Sequence, residues 1–321
     1  MRIPASEFSP SHCASGQKHS LKLELGAHVT GVELPVLLAR GANEGRTLVV
    51  TAGVHGDEFE GVRALLDIWA DIDPETMSGT LLAVPVANPP AFWKGTRNSP
   101  LDEGNLARAF PGREHGSATQ AIAFHIGHSI IAHADFYLDL HSAGMKLLMP
   151  TMAGYDANDP CSREAALAFG APVIWGHPKL SPGRTISFAA SRGIPWLYTE
   201  ARGAGRIDRG DLNVFKRGTI NLLRHLQILP GAVNKIPPLH SLYGDGDVDA
   251  SISATRSGFL VPAVELLESV KPGQELGRTL DAHGQLIEIF KSPREGVVGM
   301  IHVFPVISVG DSVFLVTGLE T

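Results

Sequence analysis

An apolar, β-branched run, Thr47-Leu48-Val49-Val50-Thr51, breaks at Ala52-Gly53. Beyond it Val62, Leu65, Leu66, Trp69 and Ile72 recur at helical spacing. The run has the pattern of a parallel strand buried on both faces, and the spacing is that of an amphipathic helix. A strand feeding a helix this way commits the chain to an α/β architecture. The alternation continues to about Leu229, with helices expected over Ala118–Ala132, Ser162–Gly170, Thr185–Arg192 and Asp211–Leu226. The predicted fold is a mixed, mostly parallel sheet flanked by helices. Near Pro230-Gly231 to Pro237-Pro238 the chain turns Gly-rich, with short strand patterns and a hairpin signal at Ala282-His283-Gly284-Gln285. Gly258–Val261 followed by Val270–Leu276 is echoed by Gly296–Gly299 followed by Val309–Val313. This resembles the barrel-sandwich of lipoyl and biotinyl carriers, although Gly284-Gln285 stands where an attachment lysine is expected. We therefore expect a catalytic domain over 1–235 and a smaller all-β domain over 236–321, serving as a lid or oligomerisation unit.

The junction after the first run reads Gly53-Val54-His55-Gly56-Asp57-Glu58. It puts His55 and Glu58 at the carboxyl end of a strand, where open α/β sheets build their sites. An imidazole and a carboxylate suit zinc, although Asp57 and Glu58 alone would equally favour the first turn of a helix. A second strand pattern, Asp135 to Leu140, ends at His141, with Asp139 two residues before it and so on the same face. His141 supplies a third ligand, and Asp139 can orient it. A third strand pattern, Ile194 to Thr199, ends in Glu200. An unpaired carboxylate there is costly as packing and suits a base; the plainer alternative is a surface ion pair with Arg202 or Arg206. His125 and His128 fall mid-helix, where packing or solvent accounts for them.

Between these lies a long loop, Asn88 to Gly112, after a strand over Leu81–Val86. Loops of this length in compact domains are functional or disordered, and Phe92, Trp93 and Phe110 argue for order. Arg97 and Arg108 each offer a planar fork to a carboxylate or oxyanion.

In chain order, Gly53–Glu58, Asn88-Pro89, Asn105–Gly112, Asp139-Leu140-His141 and Glu200-Ala201-Arg202-Gly203 resemble the succinylglutamate desuccinylase/aspartoacylase family, a branch of the zinc carboxypeptidase-like hydrolases. The resemblance spans residues 47 to 230. It implies one Zn²⁺ per chain held by His55, Glu58 and His141, Glu200 as general base, and Arg97 polarising the scissile carbonyl. It further implies that Arg108, closing the motif opened by Asn105, grips the substrate carboxylate. Ala107 stands where the family usually carries Asn, which removes one amide hydrogen bond to that carboxylate. The positions of Arg184, Tyr198 and Tyr243 point to further substrate contacts.

A net charge of -6 without like-charge blocks makes nucleic acid and membrane surfaces poor partners. Two cysteines far apart give no disulfide framework. The first twenty residues lack a signal-peptide core, so a cytoplasmic enzyme is expected. A homo-oligomer stays open. The expected activity is hydrolysis of a small N-acyl amino acid or N-acyl diamino acid. The rivals are a metallocarboxypeptidase and a non-catalytic metal- or ligand-binding protein.

Overall fold

The computed structural model describes residues 1–26, 29 and 31–320. The amino-terminal half supplies strands β1 (Arg2–Pro4), β2 (Gln17–Glu24), β3 (Glu33–Arg40), β4 (Asn43–Ala52), β5 (Ser78–Val84), β6 (Phe136–Ser142) and the short β7 (Leu147–Leu148). These are followed by β8 (Met152–Asp156), β9 (Val173–His177) and β10 (Trp196–Ala201). Helices α1 (Glu60–Asp71), α2 (Pro89–Lys94), α3 (Ala118–His125), α4 (Pro160–Phe169), α5 (Thr185–Ser191) and α6 (Arg209–His225) alternate with them. At the centre of the sheet β5, β4, β6 and β10 run parallel, and β8 and β9 pass antiparallel to β10. The fold is the mixed, mostly parallel α/β sheet that the sequence implies.

The period of two along each strand divides the interior into two layers. Val49, Tyr137 and Trp196 point into a layer packed with Ile122, Ile126 and Phe188. Leu48, Val50, Leu138 and Leu197 point the other way, against Leu65, Ile68, Phe169 and Phe215. Both faces are covered, which is why the strand runs are almost wholly apolar. In α1, Val62 and Leu65 are buried as the spacing requires. Leu66 is 47% exposed, and Ile68 takes the place it was expected to fill.

The expected long loop is more regular than its turn-forming residues suggest. It opens as α2, because the Asn88 side chain accepts from the Ala91 N–H, prolines occupy the first turn and Gly95 closes the helix in the left-handed conformation. Phe110 is buried, but Trp93 is 81% exposed, with its ring edge-on to Phe92. The helix expected over Ala118–Ala132 is α3 continued by a wider π turn at Ile126–Ile130 and a 3₁₀ turn at Ile131–His133. Within it His128 stacks on Phe124 at 4.3 Å, and His125 is buried among apolar side chains.

After Pro237 the chain forms β11 (His240–Tyr243), β12 (Ile252–Ser253), β13 (Gly258–Pro262), β14 (Ser269–Val270), β15 (Glu275–Leu280), β16 (Leu286–Lys291), β17 (Gly296–His302), β18 (Val306–Ile307) and β19 (Ser312–Leu319). β11 pairs with β9 and β19 pairs with β11, so the central sheet continues into the carboxyl-terminal strands. The hairpin read at Ala282–Gln285 joins β15 and β16. These strands enclose their own apolar layer, including Leu260, Leu276, Val298 and Phe314.

Candidate active site

Three neighbouring strands bring the site together. The turn after β4 carries His55 and Glu58, β6 carries His141 near its end, and Glu200 on β10 pairs in register with His141. The turn is pressed onto α2: a Cβ at Gly56 would lie 2.1 Å from the Ala91 carbonyl carbon, so only glycine fits. α1 begins at Glu60, after this turn, and Glu58 is 2% exposed. Helix capping therefore does not explain His55 and Glu58.

The donor set has a polarity that can be read from its hydrogen bonds. The Asn105 amide oxygen accepts from the Ala107 N–H at 3.0 Å, which fixes which end of the amide faces His55 Nε2 at 3.2 Å. His55 Nε2 therefore carries the proton. Burial, then the charge of Arg97, holds His55 below its ordinary pKa, so Nδ1 is bare. It points at Glu58 Oε1 from 2.7 Å. His141 Nε2 donates to Asp139 Oδ2 at 2.9 Å, and its Nδ1 faces Glu58 Oε2 at 2.9 Å. Burial opposes a charge on His141, but the Asp139 and Glu58 carboxylates hold its pKa well above the ordinary value. Burial also opposes a charge on Glu58, yet the two imidazoles keep its carboxyl well below the usual range. One atom from each of the three residues lies within 4.8 Å of the others. The raised pKa leaves a proton on His141 Nδ1, which donates to Glu58; with that proton displaced, a two-nitrogen, one-carboxylate set fits zinc with a coordination position left open.

Asp139 is held in turn by Thr51 Oγ1 at 2.6 Å and by Thr185 Oγ1, so its carboxylate cannot rotate away from His141. Glu200 makes no such attachments. Its Oε2 is buried without a hydrogen-bond partner among the described residues. Arg202, the expected surface partner, instead pairs with Asp208 and Asp211. Burial, then the Glu58 carboxylate, pushes the Glu200 carboxyl up to about 8. His55, Arg97, Arg108, His141, Arg184, Tyr198 and Glu200 all line one cavity.

A model of the succinylglutamate desuccinylase/aspartoacylase catalytic domain matches residues 44–226, which is more than half of the chain. The chain belongs to this family. An N-alpha-acetyl-L-2,4-diaminobutyric acid deacetylase of Halomonas elongata is 31% identical over 316 residues, covering 94% of this chain and 92% of that protein. The product-bound ectoine utilization protein EutE (DoeB) of Ruegeria pomeroyi superposes with a TM-score of 0.86 at 29% identity, over 95% of this chain and 96% of that one. A succinylglutamate desuccinylase of Silicibacter gives a TM-score of 0.84 at 29% identity, over 95% of each chain.

Within this family member the expected substrate residues divide. Arg97 lies in the cavity with Nη1 3.2 Å from Glu58 Oε1. Arg108 forks onto Asp249, with Nε at 2.7 Å and Nη2 at 3.0 Å from its two oxygens. Arg184 pairs with Asp247. Ala107 lines the cavity, whereas Asn105 buttresses His55 and is not among the lining residues. Tyr243 is 43% exposed and also lies outside the lining. The sequence reading missed His177 and the segment Asp245-Gly246-Asp247-Val248, which close the cavity from beyond β9 and β11. A signal existed for each. Val173-Ile174-Trp175-Gly176-His177 is an apolar run ending in a histidine, as at His141, and Asp245, Asp247 and Asp249 alternate.

Proposed function

We propose that the protein is a zinc-dependent deacylase that hydrolyses the amide of a small N-acyl amino acid, with an N-acetylated diamino acid as the first candidate. One observation carries the reading: ligand atoms of His55, Glu58 and His141 converge beside a cavity whose wall holds Glu200, with its Oε2 buried and unpartnered among the described residues. His55, Glu58 and His141 would hold the ion, with Asn105 and Asp139 fixing the two imidazole tautomers. Zinc supplies Lewis acidity and lowers the pKa of water. A cation beside Glu58 would offset the carboxylate that raises Glu200, and the ionised Glu200 would take a proton from the attacking water and return it to the departing amine. Arg97 would turn its fork to the oxyanion. Arg108 and Arg184 would orient the substrate's carboxylate end. The Halomonas relative supports the diamino-acid candidate, and closure of the cavity by 245–248 favours a small substrate over a peptide.

We further propose that the chain divides near residue 235 into a catalytic unit and a β-rich unit. The separate apolar layer beneath β13, β15, β17 and β19 supports this division. Both cysteines are free thiols, in keeping with a reducing, cytoplasmic setting. No helix among the described residues is long and apolar enough to cross a membrane.

The test is amine release from N-acetyl, N-succinyl and N-formyl amino and diamino acids by zinc-loaded protein, with bound metal counted. Turnover with one zinc per chain is expected. Silence across the panel at full zinc occupancy overturns the reading.

A further inference from the structure

The cavity contains a hydrogen-bond relay that the deacylation step does not use. His177, 6% exposed, sits at the end of β9 and faces the Gly244 carbonyl with Nδ1 at 3.2 Å. A carbonyl only accepts, so Nδ1 carries the proton. Burial lowers the His177 pKa to about 4, which leaves Nε2 bare at neutral pH. Tyr198 Oη lies 2.9 Å from Nε2 and must donate to it. The tyrosine's single proton is thereby committed, and its oxygen can offer the cavity lone pairs only. Its ring is pinned as well, since a Cβ on Gly154 of β8 would come 2.0 Å from Tyr198 Cε1.

We propose that Tyr198, polarised by His177, is a specificity residue that accepts a hydrogen bond from a side-chain ammonium, selecting N-acyl amino acids with a free distal amine. The inference rests on the deacylase reading above and adds the group that reads the side chain. Tyr198 and Glu200 are two residues apart on β10, and both face the cavity. Their Cα atoms are therefore roughly 6.6 Å apart along the strand. In an N-acyl 2,4-diamino acid the two nitrogens are separated by about 5 Å when extended. A scissile nitrogen at Glu200 thus leaves the distal one within reach of the phenol. Charge agrees with this polarity. Burial, then the Glu200, Asp247 and Asp245 carboxylates, outweigh Arg184 at the Tyr198 phenol and raise its pKa, and Asp245 has no ion pair among the described residues. Arg108 and Arg184 are already engaged by Asp247 and Asp249.

The experiment compares kcat/KM for N-α-acetyl-2,4-diaminobutyrate and its near-isostere N-acetylnorvaline in zinc-loaded wild type, Tyr198→Phe and His177→Phe. Wild type should prefer the ammonium substrate by about 10- to 100-fold, the scale of one hydrogen bond to a charged group. Tyr198→Phe should reduce that ratio at least tenfold, mainly through KM. Calorimetric binding of 2,4-diaminobutyrate against norvaline should shift in parallel, and this readout is independent of turnover. His177→Phe, by freeing the tyrosine proton, should lower the same ratio. If it does not fold, the Tyr198→Phe ratio decides alone. Equal loss on both substrates, or an unchanged ratio, overturns the proposal. A wild type that cleaves both substrates equally overturns it while leaving the deacylase reading intact; inactivity on every N-acyl amino acid strikes the deacylase reading instead.

Discussion

Single residues carry the clearest expectations. Glu200→Gln keeps the shape of the cavity wall and removes the group able to move a proton. Zinc content measured by mass spectrometry should stay at one per chain while kcat falls roughly 10³-fold; near-normal turnover would remove Glu200 from the chemistry. His177 gives a pH signature. Its folded pKa of about 4 lies below the 6.5 of a free imidazole, so the unfolded chain binds more protons between those values. Stability contributed by this group is full above about pH 6.5 and declines as pH falls towards 4, by at most roughly 3 kcal/mol. Thermal melts of His177→Gln should show a flatter acid limb than wild type over that window, and parallel curves would reject the assignment. These residues differ in how far the sequence reveals them. His55, Glu58, His141 and Glu200 are legible because polar side chains at the ends of apolar runs have no packing role to fill. His177 closes a similar run, but its partners, Gly244 and Tyr198, come from distant segments that nothing local to Val173–His177 announces.

At the scale of elements, the segment 245–249 after β11 matters most. Asp249 fills the Arg108 fork, and Asp247 engages Arg184, so the chain's own carboxylates occupy the positions proposed above for a substrate carboxylate. Arg108 and Asp249 are far apart in sequence, and such a link is invisible to periodicity. Competition follows from the geometry. Asp249→Asn should leave the Arg108 fork less occupied and lower KM for an anionic N-acyl amino acid by about twofold to fivefold, the size expected of one partly exposed ion pair. Arg108→Ala should raise KM more than it lowers kcat, as removal of uniform binding does. If both variants shift KM in the same direction, Asp249 supports the arginine rather than competing with it. The Asn88 cap shows the opposite case of local legibility. Asn88-Pro89-Pro90 and Gly95 spell out a helix start and stop, yet set among so many turn formers they read as loop.

Across the whole molecule, the proposed metal ligands join parts of the chain that meet only in the folded sheet. His55 and Glu58 follow β4, His141 lies on β6, and 83 residues separate Glu58 from His141. The alternation that predicts a parallel sheet is written in local periodicity, and so the architecture was legible. The continuation of that sheet through β11 and β19 was not, because the four-residue β11 carries too little pattern to read as a strand and local periodicity in β19 does not show which neighbour it pairs with. The ligand set makes folding and metal binding interdependent. Without an ion, the bare His55 Nδ1 faces a buried carboxylate, an arrangement that destabilises the native state alone. If zinc is the ion, as proposed, it would bind the assembled site and not the unfolded chain, and so should stabilise by mass action, about 4 kcal/mol at a thousandfold excess over Kd. Dialysis against a chelator should lower Tm by several degrees, and stoichiometric zinc should restore it. His141→Ala should abolish that zinc-dependent gain, because two ligands on one turn no longer tie β4 to β6. A gain that survives in His141→Ala would place the ion elsewhere on the chain.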